Sequence, residues 1–333
     1  MQNKLVLCGF HWDKKYLTTH SVQNDKITFL SLEMTPNCFG KCLYCFSGPE
    51  LNIKPKKPLS LEEYKNIILE GKKLGVKTIV FPGVGEPSLD ENLKPLVEFN
   101  NELGLVSVVY TLGILERDTV EFFREKNVSL IVKLDSLDKN HYEKLVGAKF
   151  EDFKKSMDAI IKTYKNAKKE YNGYLITKLA TNTVVTNINK DDLDDIAKFC
   201  NKHNILHFVE TLAKIGWAER NWEELVGKNE SELANIAEKY NNWVSSASID
   251  SRCGLFAHGI TIDINGDLLG CPTMRSVRLN NIRDVKRNSP LEELIGVCKE
   301  RIYNSSQYFC FGRTKTSSKD KKEPKLRRNN CLN

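Results

Sequence analysis

Three cysteines stand within eight residues, Cys38-Phe39-Gly40-Lys41-Cys42-Leu43-Tyr44-Cys45. Thiolates are the ligands of iron–sulfur clusters, and a CxxxCxxC loop can direct three sulfurs to three corners of a cubane while leaving the fourth iron open. An iron with an open position can bind a small molecule and do chemistry on it. Three nearby thiols could instead serve a zinc knuckle, which needs a fourth Cys or His close by. The nearest candidates for that role are Cys8, His11 and His20.

A second chemical group is Gly83-Val84-Gly85-Glu86-Pro87. Glycine lets a backbone approach a ligand closely, and a carboxylate complements an ammonium. Further cysteines lie downstream: Cys253, then Gly266 after twelve residues and Cys271 after four more. Residues 258–264 alternate like a strand, Asn265-Gly266 predicts a type I′ hairpin turn, and residues 267–271 begin a return strand. Such a hairpin brings both thiols to one end of a ribbon. Residues 290–302 read as a helix with Cys298 on its apolar face, which suits a small packing residue. Cys310 and Cys331 follow it.

The elements that must position these groups alternate as parallel βα units do. Residues 27–34 read as the first strand, and the cysteine loop follows it directly. Ligands on a loop after a strand sit at the carboxyl end of the sheet, where α/β folds place their chemistry. Residues 59–73 predict an amphipathic helix opened by a Ser60/Glu63 capping box. Strands at 76–81, 105–111, 128–134, 174–186 and 205–211 alternate with helices at 93–103, 117–125, 150–168 and 190–202. Gly83 to Pro87 follows the second strand. Tyr110-Thr111-Leu112-Gly113 and Lys133-Leu134-Asp135-Ser136 lie at the ends of later strands. Asp-Ser is also an ordinary turn or helix cap.

The CxxxCxΦC pattern with aromatic Tyr44, followed by Gly85-Glu86-Pro87 after the second strand, resembles the radical S-adenosylmethionine (SAM) enzymes. The resemblance implies a partial (β/α)6 TIM-like barrel over residues 27–215 and a four-iron, four-sulfur cluster on Cys38, Cys42 and Cys45. SAM would chelate the fourth iron, and its reductive cleavage would give a 5′-deoxyadenosyl radical that takes a hydrogen from substrate. It further implies SAM contacts from Tyr44, Gly83, Val84, Gly85 and Glu86, with Lys133 and Asp135 near the ribose or carboxylate. Val84 replaces the first glycine of the family's GGEP motif. The Cys253–Gly266–Cys271 spacing is similar to the opening of the auxiliary-cluster domains called SPASM and twitch. A small hairpin-plus-helix domain at 251–333 would then follow a helical connection at 216–250 and hold one further iron–sulfur cluster. Its ligands would be Cys253, Cys271, Cys310 and Cys331, with Cys298 or an open iron as alternatives to Cys331. The segment 1–26 precedes the barrel.

Composition agrees with this. A chain of 333 residues with 41% hydrophobic content can bury a full core. No apolar run approaches the roughly 20 residues that a membrane helix requires, and the N-terminus lacks a signal peptide's apolar stretch. Ten cysteines in such a chain suit a reducing cytoplasm when most hold metal. The net charge of +7 is concentrated in residues 311–333, which carry eight basic residues against Asp320 and Glu323. That placement argues for a solvated tail and against specific nucleic-acid binding.

The expectation is an oxidoreductase or maturase that abstracts hydrogen from a peptide, as relatives of this build do in cross-linking, oxidation or epimerisation. The alternative is a dehydrogenase, epimerase or decarboxylase of a sugar, aminoglycoside or carbinol. A non-catalytic iron–sulfur carrier is a third reading, and it would leave Gly83 to Pro87 unexplained. The electron donor would be a flavodoxin or ferredoxin. Cys8 and Cys200 are candidate hydrogen donors to a substrate radical.

Overall fold

The computed structural model describes residues 5–11, 26–165, 168–171, 174–241, 259–269, 278–284 and 291. In chain order the strands and helices are β1 (Leu5–Leu7), β2 (Phe29–Leu32), α1 (Leu61–Lys73), β3 (Thr78–Phe81), α2 (Leu93–Glu102), β4 (Val106–Thr111), α3 (Arg117–Glu125), β5 (Ser129–Lys133), α4 (Lys139–Val146) and α5 (Phe150–Tyr164). There follow β6 (Lys168–Tyr171), β7 (Tyr174–Thr177), β8 (Leu179–Val185), α6 (Leu193–His203), β9 (Leu206–Thr211), α7 (Trp217–Arg220), α8 (Trp222–Leu225), α9 (Glu230–Tyr240), β10 (Gly259–Ile262), β11 (Asp267–Leu269) and β12 (Arg278–Asn281).

Six parallel strands in the order β2-β3-β4-β5-β8-β9, the parallel βα units that the alternating pattern predicts, form the partial barrel that the resemblance implies. Period-two alternation gives each strand two buried faces, as expected where helices cover a parallel sheet. Leu30, Ile79, Val109, Leu130, Val132 and Val209 face the helix layer. Phe29, Val80, Val108, Ile131, Ala180, Leu206 and Phe208 face inward and pack with Leu7. Helix α1 begins as predicted: the Ser60 hydroxyl accepts from Glu63 N at 3.3 Å, and Glu63 Oε2 accepts from Ser60 N at 2.8 Å.

Several features depart from the sequence expectation, among them the helix read over 150–168, which ends at Tyr164 before β6 begins at Lys168. Residues 174–186 are not one strand. The chain breaks at Lys178, so that β7 pairs with β1 and β6 in a small separate sheet while β8 enters the barrel. Helix α4 was not predicted, and neither was β1. With residues 8–11, β1 closes the amino-terminal end of the barrel. Gly9 sits at φ +99, where an added Cβ would lie 2.8 Å from Val108 Cγ2, and its carbonyl accepts from Thr78 Oγ1 at 2.8 Å. Phe10 packs edge-on to Phe29.

The predicted hairpin is present, with a different turn. Gly266 is the left-handed residue at φ +86 while Asn265 is not, and Gly266 N donates to Asp263 O at 2.9 Å. The Asp263 carboxylate accepts from Asn265 N and Asp267 N, both at 2.8 Å. This is a type I turn followed by a glycine bulge, the usual alternative to the two-residue turn. Strand β10 pairs in parallel with β2, so the hairpin extends the barrel sheet from its first strand.

Candidate active site

The cysteine loop leaves the carboxyl end of β2 and is braced from four directions. Lys41 N and Leu43 N donate to Val146 O and Leu145 O at the end of α4, at 2.8 and 2.9 Å. Asn52 Oδ1 accepts from Cys38 N at 3.1 Å. Trp217 N donates to Cys45 O at 2.9 Å, and Asn221 Nδ2 donates to Leu43 O at 2.8 Å. Glu86 N donates to Asn37 O at 2.8 Å. Glycine is required at Gly85, where a Cβ would fall 2.4 Å from Asn37 O and 2.5 Å from Thr35 O. Close backbone approach thus joins the two motifs that the sequence singles out.

The three thiols are not disulfide-bonded and are partly buried. Burial raises Cys38 to about 11, helped by nearby Glu86 and Cys45 and opposed by the Gly40 N–H. Burial also raises Cys42, and Cys45, Asp135 and Cys38 raise it further. The three are therefore within electrostatic reach of one another, and a cation must displace their protons to bind. Among the described residues no three His, Cys, Asp or Glu side chains close on a single ion. Three thiols grouped on one loop are a donor set that fits an iron–sulfur cluster. Cys8 and His11 sit at the far end of the barrel with Gly9, so neither completes a zinc knuckle here. His20 lies outside the described residues.

Glu86 is 1% exposed. Its Oε2 accepts from Leu112 N at 2.7 Å, and its Oε1 accepts from Thr111 Oγ1 at 2.9 Å and from Ser88 Oγ at 2.8 Å. Desolvation raises its pKa, and these donors partly offset that. The carboxylate thus pins the turn to the end of β4. Nothing crowds a Cβ at Gly83 within 3.4 Å. Ser47, which the motif reading missed, donates to Val84 O at 2.5 Å and contacts Cys45 Sγ at 3.3 Å.

Asp135 is fully buried at the end of β5. It accepts from the Tyr44 hydroxyl and from Val184 N, the latter at 2.9 Å, and pairs with Lys133 Nζ at 3.2 Å. Lys133 lies over the Tyr44 ring, 4.8 Å from its centroid, and donates to Asn182 Oδ1 at 3.1 Å. Asn182 Nδ2 donates to Glu210 Oε2 at 3.0 Å. Tyr110, raised by desolvation and then by Glu210, completes this inward polar layer. Asn182 and Glu210 were not singled out from the sequence. An inward-facing polar residue near the end of each of two neighbouring strands was the available signal.

The structure brings together Cys38, Cys42, Cys45, Tyr44, Gly83, Val84, Gly85, Glu86, Lys133 and Asp135. It does not bring Cys8 or Cys200 to them. Cys200 is buried between α6 and the outer face of β8, with Sγ 3.3 Å from Thr181 Oγ1, and its thiol is pushed up to about 12 by burial. Cys8 N donates to Thr177 O at the opposite end of the barrel. Neither placement suits a hydrogen donor at this mouth. Cys253, Cys271, Cys298, Cys310 and Cys331 lie outside the described residues.

A family model described as the Radical SAM superfamily matches residues 32–200. The chain belongs to that superfamily. Membership implies a four-iron, four-sulfur cluster and SAM. Among radical SAM relatives, a GTP 3′,8-cyclase of Synechocystis is 26% identical over 298 residues, covering 82% of this chain and 87% of that one. An Fe-coproporphyrin III synthase of Methanosarcina barkeri is 29% identical over 162 residues, 47% of this chain and 39% of its own. Streptococcus suis SuiB bound to S-adenosylmethionine aligns with a TM-score of 0.60 at 17% identity, covering 88% of this chain and 70% of that one. SuiB bound to the precursor peptide SuiA gives 0.57 at 18%, covering 88% and 69%. At these identities the likeness to SuiB is one of fold. Among the described residues no helix is long and apolar enough to cross a membrane.

Proposed function

We propose that Cys38, Cys42 and Cys45 hold the cluster, and that the backbone of Gly83, Val84 and Gly85, with Lys133 and Tyr44, receives SAM. When bound, that pair supplies the electron that cleaves SAM and a 5′-deoxyadenosyl radical that takes a hydrogen atom from substrate. The residues of the chain bind and orient. Glu86 and Asp135 hold the two rims of the mouth in place through buried hydrogen bonds, and Asn182, Glu210 and Tyr110 face the substrate. The observation that carries this reading is the lacing of the cysteine loop to the Gly85-Glu86 turn. In this reading residues 27–215 do the radical chemistry. Residues 251–333 hold one auxiliary cluster through Cys253, Cys271, Cys310 and either Cys331 or Cys298.

The substrate we propose is a peptide matured by hydrogen abstraction, a reading supported by the fold shared with a protein crystallised with its precursor peptide. A small-molecule substrate is the second reading. It is favoured by relatives named GTP 3′,8-cyclase that align over most of both chains.

Anaerobic reconstitution followed by dithionite and SAM tests the core of the proposal. The expected product is 5′-deoxyadenosine, lost when Cys38, Cys42 and Cys45 are all replaced by Ala, while about four irons remain on the auxiliary ligands. SAM cleavage by the triple variant would overturn the assignment. Stimulation of 5′-deoxyadenosine formation by added GTP, with GTP consumed, would decide for the second substrate reading.

A further inference from the structure

Tyr142 carries a hydroxyl that neither the fold nor the proposed chemistry uses. The residue is fully buried on α4, and its oxygen has no hydrogen-bond partner among the described residues. A buried polar group left unpaired is costly and calls for an explanation. Its ring is fixed by stacking on Phe153, 4.7 Å between centroids, and by an edge contact with Phe150 at 5.5 Å. The turn of α4 that follows Tyr142 ends in Leu145 O and Val146 O, the carbonyls that accept from Leu43 N and Lys41 N on either side of Cys42. Tyr142 and Val146 are four residues apart in one helix and so share a face. Gly40 closes the wall there, where a Cβ would lie 3.4 Å from Val146 O and 3.6 Å from Cys38 Sγ. Burial, then Asp135, Cys42 and Glu86, raises the pKa of the Tyr142 hydroxyl, so it keeps its proton and stands within electrostatic reach of those three groups. Two of them are already supplied: Asp135 by Tyr44, Val184 N and Lys133, and Glu86 by Leu112 N, Thr111 and Ser88. The third is the Cys42 sulfur.

We propose that Tyr142 is a positioning residue for the cluster, its hydroxyl donating a hydrogen bond to the Cys42 sulfur when that sulfur ligates iron. The inference rests on the cluster assignment above. A thiol is a weak acceptor, whereas a thiolate accepts strongly, so the hydroxyl gains its partner only when the cluster is in place. A donor on a ligating sulfur draws charge from it and favours the reduced cluster, which is one unit more negative. Tyr142 therefore raises the midpoint potential and holds the ligand in its orientation.

The test uses the full chain, reconstituted anaerobically, and reads the midpoint potential of its cluster by electron paramagnetic resonance. The signal followed is the one absent from the variant with Cys38, Cys42 and Cys45 all replaced by Ala. Tyr142→Phe keeps the ring and its stacking and removes only the hydroxyl. It should make reduction about tenfold less favourable, a potential about 59 mV more negative for one electron. In the cluster-free protein the same variant should unfold at no lower urea concentration than the wild type, because the hydroxyl has no partner there. Tyr164→Phe is the control: its hydroxyl donates to Val128 O at 3.1 Å. Its loss should lower cluster-free stability and leave the potential alone. An unchanged potential in Tyr142→Phe, or an equal shift in both variants, would overturn the proposal. So would a loss of cluster-free stability in Tyr142→Phe as large as in Tyr164→Phe, which would mean that the hydroxyl is paired within the fold. If no signal depends on the three cysteines, the cluster assignment falls and Tyr142 with it.

Discussion

The barrel mouth and the joint of the C-terminal hairpin each rest on a glutamate, and they use it in opposite ways. At the mouth, Glu86 is buried, has no cation beside it among the described residues, and is held by Leu112 N, Thr111 and Ser88. At the joint, Glu63 closes the cap of α1 and pairs with Arg283, Oε1 to Nε at 2.5 Å and Oε2 to Nη2 at 2.9 Å. Arg283 also donates to Lys57 O, Pro58 O and Asn265 O at 3.0–3.1 Å. Burial pushes the Glu86 carboxyl up, whereas the Arg283 guanidinium holds Glu63 down at about 2. Neutral donors around a buried acid fix geometry, because each is stranded if the acid leaves. A half-exposed ion pair fixes much less and answers to salt and pH.

The largest consequence should come from Glu86→Ala. It strands the Leu112 N–H and two hydroxyls, at about 1–3 kcal/mol for each unsatisfied group before relaxation. The expected loss is about 3 kcal/mol in urea unfolding, together with weaker SAM binding as the turn loosens from β4. A variant that unfolds normally and binds SAM as the wild type does would show that the mouth is not held by this carboxylate. Tyr44→Phe comes next. It leaves the fully buried Asp135 short of one donor while keeping the ring under Lys133, and about 1–2 kcal/mol should be lost. The cysteine loop should also retain iron less well on dilution. Unchanged stability and iron retention would mean that the Tyr44–Asp135 contact does not couple the loop to β5.

These two acids also show what the sequence could and could not say. The Ser60/Glu63 box was legible because both partners lie within one turn, and the structure reproduces both hydrogen bonds. The cysteine loop and Gly85-Glu86 were legible as chemistry for the same local reason, as were the six barrel strands with their apolar runs. Two of the donors that hold Glu86, Thr111 Oγ1 and Leu112 N, come from about twenty-five positions onward, and local pattern gives no register between them. Arg283 reaches across more than two hundred residues to Glu63, and the sequence offered no reason to prefer it over any other arginine. Strand β1 has only Leu5, Val6 and Leu7, too short for a period. Lys178 breaks an apolar run that reads as continuous, because the break is set by which sheet each half joins. Asn265-Gly266 suggested a type I′ turn, but Asp263 captures the turn amides and redirects it.

Arg283→Met isolates the joint. Removing a partly exposed pair and its carbonyl contacts should cost about 1–2 kcal/mol, with hydrogen-exchange protection falling at β10 and β11 while β4 and β5 keep theirs. Equal loss in all four strands would mean that the hairpin and the barrel unfold as one unit and that the joint is no weaker than the mouth.

The smallest effect is the one whose sign separates the two acids. Glu63 has its folded pKa lowered from 4.5 to about 2. Its contribution is therefore present above about 4.5 and lost as pH falls from there towards 2. Glu86 is shifted upward, so its own contribution is complete below 4.5 and declines as pH rises through its folded value. Stepping pH from 6 to 3 should therefore release β10 amides before those of β4, and the step should shrink in Arg283→Met, because the largest cause of the lowered Glu63 pKa is then gone and only the Ser60 hydrogen bonds remain. Glu86→Gln should leave the β10 step in place. If acid loosens β4 first, or if Arg283→Met keeps the full step, then the two glutamates do not divide the molecule into a fixed mouth and a releasable joint.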